Sequence, residues 1–335
     1  MKRKQMAFKD IPGNERIKKT LRIALERSRV PNSLLFCGPE GVGKKTTSLV
    51  LAKALNCERK KDDSCDECAN CLAIDNHRFP DVMEITAEKE VIKISQMRFL
   101  KQIAYLRPMT KGKRVFVVEE ADKMNDEAAN SLLKILEEPP LFTHIILLTS
   151  NPYLILPTIR SRCRILNFLP VSNPEIERLL LERGFPEDRA KIVSLVARGN
   201  LDKALSLEWE EVQKRKRDTW GLFLALLQGR GASGVLRKLS TAQRSAVREE
   251  LEQLLELLSS FGRDVVLLKE GGKTRYLLNP DFENELREAE KLLGLERTLE
   301  GLAQIDFATA GLSRNLNTGL LVNTLFSRFG EQRNV

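Results

Sequence analysis

The chain has 335 residues, of which 42% are hydrophobic and 30% are charged, and its formal net charge is +9. This length exceeds one typical core and predicts roughly two or three globular domains. No apolar run approaches the ~20 residues that a membrane span requires, which excludes a membrane-embedded protein. The first residues, MKRKQMAFKD, are basic and no apolar stretch follows them, so we expect a cytoplasmic protein with reduced thiols.

The positive charge lies in the first half of the chain. Residues 1–170 hold 30 Lys and Arg against 21 Asp and Glu, whereas residues 171–335 hold 25 of each. A basic domain is compatible with a polyanion such as nucleic acid, because contacts with phosphates release counterions. The basic residues are scattered along the sequence, however, so an ordinary solvated surface explains them equally well.

Short apolar runs alternate with longer amphipathic stretches through the first half, which is the pattern of strands feeding crossover helices in a parallel sheet. The predicted strands are 33–38, 81–85, 114–120, 144–150 and 163–168. The predicted helices are 14–28, 44–56, 95–105 and 125–138. The last helix ends at two prolines, which cannot continue it. These elements predict a five-stranded α/β domain over residues 1–170.

After LPVSNP (169–174), Leu, Glu, Arg and Ala recur at helical spacing. We therefore expect a small helical domain over 171–213 and a second helical domain over 214–335. The run KRKRD (214–218) is interpreted as a solvated helix face or a junction between these domains. The stretch EGGKTRY (270–276) is interpreted as a loop.

The segment GPEGVGKKT begins at Gly38 and matches most of the phosphate-binding motif Gly-x-x-x-x-Gly-Lys-[Ser/Thr]. Gly38, Gly43 and Lys44 take its first three fixed places, between a predicted strand and a predicted helix. The glycines, Gly41 among them, allow backbone amides to point at a phosphate, and the helix presents its N-terminus. The lysine adds a positive charge. We therefore predict a P-loop that can cradle nucleotide phosphates.

The last place of the motif departs from the pattern. Lys45 stands where Ser or Thr ligates magnesium, and Thr46 and Thr47 are displaced by one and two residues. An ammonium cannot ligate a cation, and it would sit where the charge of the metal belongs. ATP or ADP can still be a ligand of this loop, but metal-assisted hydrolysis is disfavoured.

Acidic residues follow the apolar run VFVV, where a P-loop ATPase places carboxylates for magnesium and for water. Glu119 stands where Asp is expected, and its extra methylene moves the carboxylate outward by about 1.5 Å. Glu120 takes the position of the general base, here a vestigial one. Alternatively, the two acids only end a strand and cap the next helix.

Four cysteines form an insertion at 57–71 with the spacing C-x7-C-x2-C-x2-C. They are Cys57, Cys65, Cys68 and Cys71. Four thiolates with two-residue loops suit a closed tetrahedral zinc site with Zn–S bonds of about 2.3 Å. An iron–sulfur cluster and unmetallated thiols are the alternatives. We expect structural zinc, because no water-activating acid accompanies the cysteines.

The other cysteines and both histidines are expected to be ordinary residues. Cys37 and Cys163 fall in predicted strands, where a small buried thiol is the usual occupant. His77 and His144 are isolated in the sequence and are expected to be surface or core residues.

Over residues 7–207 these features resemble the clamp-loader branch of the AAA+ ATPases. The resemblance rests on the P-loop with its cysteine insertion and on four segments: FKDIPGNERIKKTL (8–21), VVEEADKMNDEAANSLLKILEEPP (117–140), LLTSNP (147–152) and LPTIRSRC (156–163). It implies a P-loop AAA+ domain with a five-stranded parallel sheet, then a small helical lid and an all-α C-terminal collar. Beyond residue 216 only the helical texture and the weak segment 313–325 match.

The resemblance also implies roles for single residues. In clamp loaders the arginine of a Ser-Arg-Cys sequence reaches the nucleotide of a neighbouring subunit, which implies that Arg162 is an arginine finger. A planar, permanently charged guanidinium can neutralise charge on a transferred phosphoryl group; the alternative is a surface arginine. Thr149, Ser150 and Asn151 match the region where the family senses the third phosphate.

The lid departs from the pattern of ATP-hydrolysing relatives, which carry Gly-x-x-Arg-x-Ala. GNLDKALSL (199–207) places Asp202 at the arginine position, where an acid would repel phosphates, and Lys203 compensates in part. Lys45, Glu119 and Asp202 therefore all act against self-catalysed hydrolysis.

The function implied is that of a subunit in a hetero-oligomeric ring of clamp-loader subunits, which acts with the sliding clamp and primed DNA in replication and not with a membrane. One role is a non-hydrolysing, organising subunit of a bacterial DNA polymerase holoenzyme that donates Arg162 and has no ATPase activity of its own. The other is an ATP-hydrolysing motor subunit of the same assembly. A standalone helicase or remodeller would need a working pocket and explains the Ser-Arg-Cys sequence less well.

Overall fold

The computed structural model describes residues 6–228, 244–313, 316–321 and 324–325. The chain divides into two compact units, residues 1–206 and 207–335. The first unit combines a parallel sheet with helices, and the described part of the second consists of helices and short 3-10 turns. No helix within the described ranges has the length and apolar character needed to cross a lipid bilayer.

Five parallel strands form the sheet of the first unit in the order β2-β3-β4-β1-β5. In chain order they are β1 Ser33–Cys37, β2 Val82–Ile85, β3 Arg114–Val118, β4 Thr143–Thr149 and β5 Arg164–Asn167. Each strand begins and ends within two residues of its predicted bounds. The predicted five-stranded parallel α/β fold is therefore confirmed.

Both faces of the central strands are buried. Leu34 and Phe36 of β1 pack into the core on one face of the sheet, whereas Leu35 and Cys37 pack into the core on the other face. β3 and β4 divide their side chains between the two cores in the same way. Strands covered on both faces read as continuous apolar runs, which is why the sequence marks them clearly.

Nine helices belong to the described part of the first unit. They are α1 Glu15–Glu26, α2 Lys44–Asn56, α3 Ala69–Asp75, α4 Ile94–Ala104, α5 Asp126–Glu137, α6 Pro157–Arg160, α7 Asn173–Glu182, α8 Glu187–Ala197 and α9 Leu201–Ser206. Residues of α1 and α2 fill one core, and residues of α4, α5 and α6 fill the other. The four predicted helices lie within two residues of α1, α2, α4 and α5. The sequence did not indicate α3 or α6, which are short.

Among the described residues, the second unit contains α10 Trp209–Leu227, α11 Arg244–Lys269, α12 Glu283–Leu292 and α13 Leu295–Ser313, and residues 318–321 are also helical. Their core is aromatic at its centre, where the ring of Phe261 lies 5.1 Å from that of Trp220 and 5.3 Å from that of Phe282, measured between centroids. Such edge-to-face pairs stabilise a core beyond the area they bury. The helical second half agrees with the expectation, and the predicted loop at 270–276 contains a 3-10 turn, Thr274–Tyr276.

The predicted boundary at 213/214 differs from the structure. α10 runs without interruption through KRKRD (214–218), so this run is part of a helix and no junction, and the chain passes between units at 206/207. Lys216 within the run is buried, with Nζ 2.5 Å from Oδ1 of Asp281. This division shows no boundary at 170/171, because the first unit contains residues 1–170 and continues to residue 206. The weak segment 313–325 lies partly outside the described residues.

Candidate functional site

The P-loop connects β1 to α2 at the carboxyl edge of the sheet. Gly38, Gly41 and Gly43 have φ angles of 149°, 67° and 90°, which side-chain-bearing residues rarely adopt. A Cβ at Gly41 would also lie only 1.8 Å from Oδ1 of Asn200. The amide of Leu201 donates to the carbonyl of Gly41 over 2.9 Å. The first residue of α9 is therefore hydrogen-bonded to the loop.

Lys44 turns back onto its own loop. Its Nζ donates to the carbonyls of Gly38 over 2.5 Å and Pro39 over 2.6 Å. Burial lowers the pKa of Lys44, and the nearby carboxylates of Glu40 and Asp122 oppose this shift. A phosphate offers this ammonium a charged acceptor in place of neutral carbonyls, and charge-assisted hydrogen bonds are the stronger ones.

A cavity of about 280 Å³ opens beside the P-loop. It is close in size to the smaller ligand pockets of proteins, which begin at about 300 Å³. The residues predicted for the nucleotide site that line it are Gly41, Gly43, Lys44, Lys45, Thr46, Glu119, Glu120, Thr149, Ser150 and Asp202. The loop, the end of β3, the end of β4 and α9 thus meet at one place.

Lys45 lies between two carboxylates. Its Nζ is 2.5 Å from Oε1 of Glu119 and 3.3 Å from Oε2 of Glu84, which is on β2. The other oxygen of Glu84 is 2.6 Å from Nδ1 of His77. The ammonium thus occupies the position between the P-loop helix and the acidic strand end that P-loop ATPases use for magnesium. The sequence did not bring Glu84 or His77 to this site, because nothing local links them to Lys45.

The general-base position is engaged in an ion pair. Glu120 adopts a left-handed conformation with φ 48°, and its carboxylate is 2.8 Å from Nζ of Lys123. Asp122, two residues after Glu120, accepts a hydrogen bond of 2.5 Å from the hydroxyl of Thr149. This bond joins the turn after β3 to the end of β4.

Asn151 has a structural contact and does not line the cavity. Its Oδ1 accepts a hydrogen bond from the amide of Tyr153 and caps the 3-10 turn Pro152–Leu154. Thr149 and Ser150, the other two residues of this predicted region, do line the cavity. Gly38 does not line the cavity either. Its carbonyl accepts a hydrogen bond from Lys44, which does line the cavity.

Arg162 lies beyond the lining of this chain's own cavity, just after α6. Its Nε donates to Oε1 of Glu137 over 2.7 Å, and a second guanidinium nitrogen contacts the same oxygen. The remaining nitrogen donates to the carbonyl of Thr158 over 2.8 Å. The side chain is about one-third exposed, so a group outside the chain can reach the guanidinium.

The four cysteines of the insertion converge. Their Sγ atoms all lie within 4.8 Å of one another, and those of Cys65 and Cys71 are 4.0 Å apart. Sulfurs around a tetrahedral ion with bonds of about 2.3 Å are separated by about 3.8 Å, so the residues present fit a metal ion. Burial alone would raise the pKa of Cys65, but hydrogen bonds from the amides of Glu67 and Cys68 lower it to about 7. Burial raises the pKa of Cys71, so the fit to a metal ion rests on the convergence of the four sulfurs.

Lys53 anchors the insertion to the P-loop helix. It lies on α2 with only 1% of its side chain exposed, and its Nζ is 2.6 Å from Asp66 and 3.1 Å from Asp75. Cys163 lies apart from the cluster, and burial raises its pKa to about 12. His144 is buried with Nδ1 3.1 Å from the carbonyl of Pro31.

The chain is similar to a known protein family over about half of its length. The family model described as DNA polymerase III, delta subunit, matches residues 13–172. Subunit tau of DNA polymerase III from Bacillus subtilis is 35% identical over 211 residues, which are 60% of this chain and 37% of that protein. Subunit delta' from the same organism is 28% identical over 270 residues, which are 80% of this chain and 82% of that protein. These matches support a member of the clamp-loader family of DNA polymerase III subunits.

The chain spans about a third of the length of the tau-type relatives and most of the delta' relative. Among solved structures, a DNA polymerase III gamma subunit-related protein from Thermotoga maritima is similar, with a TM-score of 0.46 and 19% identity. The match covers 94% of this chain and 98% of that one.

Three residues of this chain gain partners that the sequence did not indicate. Glu84 contacts Lys45, Glu137 contacts Arg162 and Lys53 contacts the cysteine insertion. Of these three residues, only Glu84 carried a signal in the sequence. It is an acidic residue near the end of β2, the strand beside β3. The other two pairs join residues on different elements without a motif.

Proposed function

We propose that this chain is the delta-prime-type subunit of a bacterial DNA polymerase III clamp loader. In this role it organises a ring with tau/gamma and delta subunits in the cytoplasm. It donates Arg162 in trans to the ATP of a neighbouring subunit while the sliding clamp is loaded onto primed DNA. It does not itself hydrolyse ATP.

The observation that carries the proposal is the contact of Lys45 with Glu119. Metal-assisted hydrolysis in a P-loop site needs Mg²⁺ held by a loop hydroxyl and by the acid after the strand. Here the hydroxyl is replaced by an ammonium, and that ammonium is 2.5 Å from the acid. A divalent cation at this place would have to displace a bound positive charge.

Two further contacts of the same site support a non-hydrolysing role. Glu120, at the general-base position, is held in an ion pair with Lys123 over 2.8 Å and is not free to contact a water at the phosphate. Asp202 presents a negative charge to the cavity from α9, where hydrolysing relatives are expected to present an arginine. Each contact weakens a different requirement of the reaction.

The exposure of Arg162 supports the role in trans. The guanidinium lies outside the lining of the chain's own cavity and is held by a partly exposed ion pair. A positive group so placed can act on a nucleotide bound to another chain. The match to the relative named subunit delta' covers 82% of that protein, whereas the match to the tau relative covers 37%.

The second candidate function is an ATP-hydrolysing subunit of the tau/gamma type. The identity to the tau relative, 35%, exceeds the 28% to the delta' relative, and this favours it. It needs magnesium to enter the place that Lys45 fills. We therefore rank it second.

For the cysteine cluster we propose structural zinc. Cys57, Cys65, Cys68 and Cys71 would hold it with a closed shell of four thiolates, which leaves no position for a substrate. Its contribution is to fold the insertion between α2 and β2. Lys53 then links that insertion to the P-loop helix.

ATP turnover by the pure chain tests the proposal directly. We expect no steady magnesium-dependent turnover above that of the Lys44→Ala variant. Turnover that vanishes in Lys44→Ala would instead assign the motor function. In the reconstituted complex, Arg162→Ala should lower DNA-stimulated ATPase activity on the order of 10³-fold while leaving assembly intact, the lower bound for arginine fingers. Arg162→Lys is the matched variant, because it keeps the charge and loses the fork.

A further inference from the structure

We propose that the P-loop cavity binds its nucleotide as the metal-free anion, with the ammonium of Lys45 in the role of a built-in cation. The inference rests on the proposed non-hydrolysing function and deepens it by naming the form of the ligand. Other P-loop sites take the magnesium complex. This site would take the nucleotide alone.

Lys45 performs the first task of a bound metal, which is to neutralise the acids at the strand ends. Its Nζ contacts Glu119 over 2.5 Å and Glu84 over 3.3 Å, from two neighbouring strands. Without a cation these carboxylates would repel a phosphate chain. With the ammonium between them, a phosphate meets no unpaired acid on this side of the cavity.

The second task of a metal is to contact the phosphate oxygens themselves. An ammonium has three N–H donors, and two of those of Lys45 face Glu119 and Glu84. Lys45 lines the cavity with 39% of its side chain exposed, so the third donor can face a ligand there. Lys44 adds a second ammonium, bonded at present to neutral carbonyls of the loop.

The remaining charged groups of the cavity do not supply a substitute metal site. Glu120 is paired with Lys123. Glu40 lies near Lys44. Burial lowers the pKa of Lys44, and the charge of Glu40 offsets part of that effect. Asp202 lies on α9, across from the strand ends. The hydroxyl residues of the lining are Thr46, Thr149 and Ser150, and none of them stands at the motif position that Lys45 occupies; Thr149 already donates to Asp122, and Thr47 is buried and absent from the lining.

Magnesium would therefore weaken binding. A dication could reach Glu119 only by displacing Lys45, and magnesium also lowers the negative charge of the nucleotide that Lys44 and Lys45 attract. Mg²⁺ requires octahedral oxygen ligation and gives up its water reluctantly. The magnesium complex of the nucleotide thus gains no new ligand from the protein, and the two lysines attract it less strongly than they attract the free nucleotide.

Equilibrium titration of the full chain with the fluorescent nucleotide mant-ATP tests this inference, with fluorescence anisotropy as the readout. Binding should be at least as tight in EDTA as in millimolar magnesium. In Lys45→Ser, which restores the hydroxyl of the motif, magnesium should strengthen binding by roughly tenfold or more, the effect of one charge-assisted contact. Lys111→Met, a change at an exposed lysine away from the cavity, should leave both titrations unchanged.

Lys44→Ala should abolish binding in both buffers, which places the probe in the P-loop. Circular dichroism and a thermal melt of each variant establish that it is folded. The inference is overturned if the wild-type chain requires magnesium, if it binds in neither buffer, or if Lys45→Ser remains indifferent to magnesium. A magnesium requirement without turnover would leave the proposed function intact, whereas steady turnover would overturn the proposed function as well.

Discussion

The guanidinium of Arg162 is held by the carboxylate of Glu137, the last residue of α5, with Nε 2.7 Å from Oε1. Both side chains are partly exposed, at 32% and 47%. An ion pair with this exposure contributes about 0–1 kcal/mol, because water and salt screen it. The contact therefore fixes where the guanidinium rests and can be exchanged for a stronger partner such as a phosphate.

Replacing Glu137 tests this exchange. If Glu137 competes with a neighbour's nucleotide for Arg162, Glu137→Gln should lower the ATP concentration for half-maximal activity of the reconstituted complex. The change is at most about fivefold, which corresponds to about 1 kcal/mol. Glu138→Gln is the matched control, since Glu138 is exposed and follows directly in the chain. A loss of activity as large as that of Arg162→Ala would instead mean that Glu137 orients the guanidinium.

Metal content tests the cysteine cluster. The purified chain should carry about one zinc by mass spectrometry, and Cys65→Ser should lose it and unfold at a lower temperature. Cys163→Ser is the control, because this thiol lies apart from the cluster and burial raises its pKa to about 12. Iron in place of zinc, or a full zinc content in Cys65→Ser, would contradict the assignment.

The buried pair of Asp81 and Arg114 predicts a large stability effect. Its charged atoms are 2.7 Å apart, and neither side chain is more than 4% exposed. Asp81→Asn leaves the guanidinium without its counter-charge, which should lower the free energy of unfolding in urea by about 3–5 kcal/mol. The exposed pair of Asp62 and Arg22 provides the control, and Asp62→Asn should cost less than about 1 kcal/mol.

The same pair predicts a loss of stability in acid. Burial alone would raise the pKa of Asp81, but hydrogen bonds from Arg114 and from the amide of Met109 outweigh it and lower the pKa. A carboxyl with a lowered pKa stabilises the fold above its unfolded value of about 3.9, and this contribution is lost as the pH falls through the folded value. Unfolding measured below pH 4 should therefore differ less between the wild-type chain and Asp81→Asn than at pH 7.

His144 predicts a second dependence on pH. Burial lowers its pKa to about 4, Lys113 acts in the same direction, and the hydrogen bond to Pro31 opposes them. The unfolded chain binds this proton with a pKa of about 6.5, so the stabilisation is complete above that pH. Between about pH 6.5 and 4 the wild-type chain should lose roughly 3 kcal/mol through this group.

His144→Asn removes the titrating group and should flatten urea unfolding curves over that window. The only other histidine, His77, is half-exposed, which makes His77→Asn the matched control for burial. An equal slope in wild-type and His144→Asn chains would contradict the effect of burial. A flattening in His77→Asn alone would show that the pH dependence comes from His77 and not from His144.

The sequence by itself determined the strands, the P-loop and the cysteine cluster. Strands buried on both faces are continuous apolar runs, and a phosphate loop and a metal cluster depend on spacing within one short segment. These signals are local. The strands lie within two residues of their predicted bounds, and the four cysteines converge in one cluster. The substitution of Lys45 for a hydroxyl was equally visible.

Only the tertiary structure decided which groups these residues face. Glu84 reaches Lys45 because the strand order places β2 beside β3. Glu137 reaches Arg162, 25 residues later in the sequence, because α5 and α6 pack into the same core. The unit boundary moved to 206/207 because the charged run near 214 is one turn of a continuous helix. Periodicity records which face of an element is buried, and it carries no information about which element lies opposite.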